Sequence, residues 1–244
     1  MKPNKITFTN CSEWPPTLTS LPPTLPTPKP ASQYVPEWYA KSERWIGNDN
    51  QPKLENGSPN HGLKLCVPFL DALTSGYMLE LHTDLVVEYN KEADDVNIDW
   101  LIFPAPLSRR TPALGENIPR PEGHINTHFA WIGQWGIEVP KGWSILLTHP
   151  FNRFDLPFTT LTGLMDSDKS INAGNIPFFM KRGFSGLIPA GTPIAQLTPI
   201  KRADWVSELG TEKNKQKAIQ QNYDSKRMFS GFYKKTLWER KKYE

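Results

Sequence analysis

Apolar and polar residues alternate most regularly over residues 77–89 (YMLELHTDLVVEY). Leu79, Leu81, Thr83, Leu85 and Val87 fall on one side, and Met78, Glu80, His82, Asp84 and Val86 on the other. A period of two is that of a β-strand, so one continuous strand is predicted, with the first set facing the core. Residues 96–103 (VNIDWLIF) place Val96, Ile98, Trp100 and Ile102 together, and the two stretches are expected to pair as a hairpin around Asn90 to Asp95.

The longest organised stretch, residues 133–200, contains one pattern twice: GIEVPKGWSILLTHP from Gly136 and GLIPAGTPIAQLTP from Gly186. Each copy reads as a short apolar strand, a Pro-x-Gly turn and a second apolar strand. Proline at position i+1 and glycine at i+3 suit a type I turn, so two hairpins are predicted. Between them lies the loop TGLMDSDK, residues 162–169, whose Asp166 and Asp168 stand close to Gly163 and make it the first candidate for chemistry.

Elsewhere the pattern is weaker. Residues 37–46 (EWYAKSERWI) predict a short helix with Trp38 and Trp45 on one face, and residues 63–73 (LKLCVPFLDAL) a strand leading into a turn. Residues 104–126 read as a long surface loop or an excursion that packs on a partner. After Ile200, residues 205–209 and 212–222 predict a polar helix. The resulting expectation is an all-β body of β-clip or β-sandwich type over residues 63–202. It carries a proline-rich arm (1–36), a short helix and loop (37–62) and a partly helical tail (203–244).

Composition sharpens this division. The chain has 244 residues, enough for one domain with appendages, and 24 prolines, about twice the usual share. Many lie in the first 36 residues, as WPP, LPP and TLPTPKP, where proline removes the backbone donor and disfavours helix. That arm is either a strap holding a neighbouring subunit through Trp14, Tyr34 and Trp38, or a flexible tail. The other end, residues 226–244 (KRMFSGFYKKTLWERKKYE), alternates basic and aromatic residues, among them Phe232, Tyr233 and Trp238. Such a tail can stack on single-stranded nucleic acid, or dock its aromatics on protein while its lysines stay solvated. Glu239 and Glu244 dilute its field and favour docking.

A net charge of +3 is too small to imply nucleic acid by itself. Cys11 and Cys66, the two cysteines, support neither a disulfide framework nor a cysteine zinc site, so a reducing compartment is expected. The first residues lack the apolar core of a signal peptide, and no apolar run approaches the ~20 residues of a membrane span. The expected location is the cytoplasm, or the host cytoplasm or virion for a viral protein.

Several motifs carry a resemblance. Cys66-Val-Pro-Phe with Ser75-Gly-Tyr77, Gly136-Ile-Glu-Val-Pro, His149-Pro-Phe-Asn-Arg153, Leu161-Thr-Gly-Leu-Met-Asp166, and Phe178-Phe-Met-Lys-Arg with Pro189-Ala-Gly191 together resemble the uncharacterised domain of unknown function numbered 6065. That resemblance implies a shared β-rich fold, no established activity, and a style like that of tailed-phage structural or accessory proteins. Locally, Gly163-Leu-Met-Asp-Ser-Asp168, Ser185 to Gly191 and Ile194-Ala-Gln-Leu197 resemble the carboxyl half of dUTPases and related β-clip proteins. This implies Asp166 as water-activating base and Gln196 as a buttressing amide, with Mg²⁺ held by a nucleotide triphosphate. Lys169 stands where that family has tyrosine, and Pro193 where it has arginine.

Two further constellations complete the candidates. His82-Thr-Asp84 with His149 imitates the two-histidine, one-carboxylate ligand set of non-haem iron oxygenases. His149, Asn152, Arg153, Asp168 and Gln196 can line a shallow ligand pocket beside Asp166, or an arginine-carboxylate bridge can simply close the loop. The leading expectation is a non-enzymatic binding or assembly protein that needs no cofactor or metal and has protein partners, as a homo-oligomer or larger assembly. A dUTPase-like pyrophosphatase and an iron oxygenase are the alternatives.

Overall fold

The computed structural model describes residues 4–12, 25–46, 62–110, 118–227 and 232–244, so Trp14 lies outside the described residues. The chain divides into two units: Met1–Tyr34 with Gly76–Arg202, and Val35–Ser75 with Ala203–Glu244. The β-rich body therefore takes in the arm, while residues 63–75 go with the tail.

The first unit is a mostly β, sandwich-like body with antiparallel sheets. In chain order its strands are β1 (Thr7–Asn10), β2 (Lys29–Pro30), β3 (Tyr77–Glu80), β4 (Leu85–Asn90), β5 (Asp95–Asp99), β6 (Leu107–Arg109), β7 (His124–Ile132), β8 (Trp135–Glu138), β9 (Trp143–Thr148), β10 (Phe158–Thr160), β11 (Gly163–Met165), β12 (Asn175–Lys181), β13 (Gly186–Ile188) and β14 (Pro193–Lys201). The largest sheet runs β11-β9-β14-β3-β2 and the next β10-β12-β7-β6, with smaller sheets β13-β4-β5 and β1-β8.

Aromatic packing fills the core. Trp131 of β7 lies flat on Phe178 of β12, ring centroids 3.7 Å apart, and Phe158 of β10 meets it edge-on at 5.0 Å. Its indole N–H donates to Thr160 Oγ1 at 3.1 Å, and that hydroxyl donates to the Ile194 carbonyl of β14 at 2.7 Å, which ties the two larger sheets together. A buried indole is stable here because its one donor is answered.

The twin pattern of residues 136–150 and 186–199 is present, but it does not form hairpins. β8 pairs with β1 and β13 with β4, whereas β9 and β14 pair with each other, Thr148 opposite Gln196 and Trp143 opposite Lys201. Each Pro-x-Gly turn is thus a corner where the chain passes from one sheet to another. The turn register also differs from the expected one. Trp143 N donates to Pro140 O and Thr192 N to Pro189 O, which puts proline at position i and glycine at i+2. Gly142 (φ +85°) and Gly191 (φ +83°) supply the positive φ that a type II turn requires there.

The strand predicted over residues 77–89 is broken in two. β3 and β4 belong to different sheets, and the chain bends at residues 81–84. The inward set holds nonetheless, since Leu79, Leu81, Thr83, Leu85 and Val87 are all buried; Met78 is buried as well. The β4-β5 hairpin closes with Asn90 opposite Asp95, as predicted.

The described parts of the arm lie on the body itself. β1 adds a strand to β8, β2 adds one to β3, and Leu25 and Ala31 are buried. Tyr34 Oη donates to the Glu80 carboxylate, which Lys29 also pairs at 2.7 Å. Burial and that carboxylate raise the Tyr34 pKa well above the ordinary phenol value. Where it is described, the arm adds its strands to the chain's own sheets.

The second unit is helical: α1 (Glu37–Lys41), a 3-10 turn (Leu63–Leu65), α2 (Val67–Thr74), α3 (Glu212–Arg227) and a π-helical turn (Tyr233–Leu237). The expected strand over residues 63–73 is α2 because Pro68 sits in its first turn, where a missing N–H costs nothing. α1 ends at Lys41, so Trp45 is not on a shared helix face with Trp38. No helix among the described residues is long and apolar enough to cross a membrane.

Candidate functional site

The Asp166 loop is partly strand. β11 pairs with β9, Met165 opposite Ile145, and the chain then turns tightly, with Lys169 N donating to Asp166 O at 3.0 Å. Arg202, at the end of β14, forks over both carboxylates of this turn. Its Nη1 donates to Asp166 Oδ1 at 3.0 Å and to the Trp143 carbonyl at 2.8 Å, and its Nη2 pairs with Asp168 Oδ2. Ser144 Oγ donates to Asp166 Oδ1 at 2.8 Å, and Gly142 N to Asp168 Oδ2 at 2.8 Å.

These donors hold both acids ionised. The Arg202 bond, then the Gly142 amide, lowers the Asp168 pKa to about 2. The Ser144 bond first, then the Arg202 charge, lowers that of Asp166. A carboxylate so engaged is a weak base, because each donor opposes the proton it would have to take up. The arrangement is chemically a clamp joining the first corner, the turn and the end of β14. Sequence reasoning foresaw an arginine bridge closing this loop but chose Arg153; Arg202 lies 34 residues beyond Asp168, and no local signal marks the pairing.

Arg153 is engaged elsewhere. Its guanidinium grips Asp155 through Nε (2.9 Å) and Nη2 (2.8 Å). His149 Nδ1 accepts from Thr160 N at 3.2 Å, which leaves the proton on Nε2 to donate to Arg153 O at 3.0 Å. Burial lowers the His149 pKa, so the ring is neutral near pH 7. Asn152 takes a positive φ of +59° in the same loop, and the fully buried Gln196 accepts from Phe151 N at 2.9 Å. The structure thus gathers His149, Asn152, Arg153 and Gln196 around one tight loop past the end of β9. Asp166 and Asp168 cluster at the other end of that strand, roughly 16 Å away at ~3.3 Å per residue. One shared pocket of Arg153, Asp166 and Asp168 is not formed.

The histidine-carboxylate set does not converge either. His82 Nε2 donates to the Pro104 carbonyl at 2.7 Å, and Asp84 accepts from Ala190 N at 2.7 Å. Among the described residues, no three His, Cys, Asp or Glu side chains are disposed to hold a metal.

Of the aromatic anchors, Tyr34 is spent on Glu80. Trp38 is 41% exposed and meets Phe69 edge-on at 6.3 Å. Trp238 donates to Asp71 of α2 at 2.8 Å, and Lys241 pairs with the same carboxylate while lying over the indole ring. Phe232 is half-buried and Tyr233 exposed at the π-helical turn. The tail end therefore docks by its tryptophan and leaves most lysines in solvent.

A run of three highly exposed apolar residues lies just before α3; in the body, Leu101 (97%) and Phe154 (79%) are exposed as well. Residues 203–211 have no regular structure, and Trp205, Val206 and Leu209 are 89%, 94% and 97% exposed. The predicted helix over residues 205–209 is absent. α3 begins only after Thr211, whose backbone N–H donates to Asn214 Oδ1 at 3.0 Å, as in a capping box. Ile219 and Tyr223, one turn apart on α3, are 59% and 58% exposed.

Neither a search against protein-family models nor a search of curated proteins finds a match to this chain.

Proposed function

We propose that this protein is a binding or assembly component that engages a protein partner, including further copies of itself, through residues 203–211 and the exposed stripe of α3. The observation that carries this reading is the near-complete exposure of Trp205, Val206 and Leu209. Burying three such side chains gains about 5–9 kcal/mol before the costs of association, a large incentive to leave unused. α3 points the same way, since a 16-residue helix with no buried residue among those described is marginal alone in water. The family resemblance makes a tailed-phage assembly the proposed setting.

Light scattering over a concentration series tests this reading. The wild-type chain is expected to grow in mass with concentration, and the Trp205→Ser, Val206→Ser, Leu209→Ser triple variant to stay monomeric. A wild-type chain that remains a monomer throughout contradicts the self-assembly reading.

A further inference from the structure

β5 closes one side of the sheet β13-β4-β5 and, among the described residues, pairs only with β4. In an antiparallel pair, alternate residues turn both backbone groups away from the partner. Tyr89 of β4 sends its N–H to Ser185 Oγ, on the β13 side, so its neighbours Glu88 and Asn90 face β5. Asn97 and Asp95, opposite them, face inward, which leaves Val96 and Ile98 facing out.

These two outward residues differ. The N–H of Val96 donates to Asp95 Oδ1 at 2.8 Å, and its carbonyl accepts from Arg109 Nη1 at 3.3 Å, with Arg109 and Asp95 ion-paired over it. Ile98 has no such cover among the described residues. Alongside runs an open groove of about 470 Å³, walled by β5 on one side and by Leu107 and Phe129 on the other, with Trp100 lining it too. Glu88 and Asp99 also line it, both exposed and without a hydrogen-bond or ion-pair partner among the described residues. Its one cation among the described residues, Arg109, is neutralised by Asp95.

We propose that the outer edge of β5 accepts an extended, lysine- or arginine-bearing peptide segment of a partner protein as an added strand. The Ile98 amide and carbonyl supply the ladder bonds, Trp100 and Phe129 the apolar wall, and Glu88 and Asp99 the charge selection. The Asp95–Arg109 pair stops the added strand at Val96. Charge also selects against two of the chain's own segments, β5 itself and residues 203–211. A second β5 edge would set Asp95 and Asp99 against themselves, and residues 203–211 bring Asp204 and Glu208 to an acidic groove.

The test is titration of the full chain with the capped hexapeptide KVKVKV and with its counterpart EVEVEV, followed by calorimetry and by amide exchange at Ile98. Saturable binding of the lysine peptide below about 1 mM is expected, with Ile98 gaining protection and the glutamate peptide silent. The Glu88→Lys, Asp99→Lys double variant, altered only at exposed side chains, is expected to bind at least about tenfold more weakly. The 205/206/209 triple serine variant is expected to bind like wild type, which separates this site from the self-assembly surface. Absence of saturable binding, equal binding of both peptides, or an unaffected double variant would overturn the proposal. So would a dimer whose Ile98 amide is protected before any peptide is added, because that places a second copy on the edge.

Discussion

Trp131 and Trp205 are the same residue in opposite circumstances. The first is fully buried, stacked on Phe178, with its N–H answered by Thr160; the second is 89% exposed on a stretch without regular structure. Around Trp131 the body packs on itself, and the described parts of its arm, its two corners and the Asp166 and Asp168 carboxylates are tied back to its own strands. Residues 203–227 bury no described side chain. Apolar surface that a fold does not use for its own stability is available for association, and that difference is why function is sought in this segment.

The comparison predicts unequal responses to the same kind of substitution. Trp131→Ala is expected to cost about 3–5 kcal/mol in urea unfolding, through lost burial and the cavity left behind. Trp205→Ala should stay within about 0.5 kcal/mol. Equal effects at the two positions would mean that residues 203–211 are packed within the folded chain.

The next largest effect is at the Arg202 clamp. Arg202→Met leaves Asp168, whose side chain is 3% exposed, without its guanidinium and is expected to lower the melting temperature by about 2–4 °C. Its pH dependence has a definite sign. The folded Asp168 pKa is about 2, below the ~3.9 of the unfolded chain, so its contribution is complete above about pH 4 and is lost as pH falls toward 2. Half-buried His82 and His149, whose pKa values are lowered by desolvation, add a loss that begins as pH falls below ~6.5, because the unfolded chain takes up those protons first. Melting of wild type and Asp168→Asn from pH 7 to 2 should give parallel decline from the histidines, then convergence below about pH 4. Curves that stay parallel to pH 2 would show the clamp to be unimportant.

The smallest effect is at the start of α3. Thr211→Ala is expected to lose about 0.5–2 kcal/mol of local helix stability, seen as reduced helical circular dichroism with the body's unfolding unchanged.

Local patterns were readable in advance and long-range ones were not. The inward set of residues 79–87, the β4-β5 turn and the presence of a turn at each Pro-x-Gly all follow from neighbouring residues. Strand partners do not, because Pro140-Lys-Gly142 suits a hairpin or a corner equally, and β1 and β9 compete for roles that only packing assigns. Arg202 escaped notice for the same reason, its carboxylates lying in a distant turn. In residues 205–209 the four-residue spacing of Trp205 and Leu209 imitates a helix face. Gly210-Thr211 ahead of Glu212 is the stronger local signal, placing the helix start after the apolar residues.

The most direct measurement is the mass of the full chain by light scattering from low to high concentration, with wild type and the 205/206/209 triple serine variant side by side. The account predicts concentration-dependent association in the first and a monomer in the second, with identical urea unfolding of the body. Association that persists undiminished in the triple variant would contradict it.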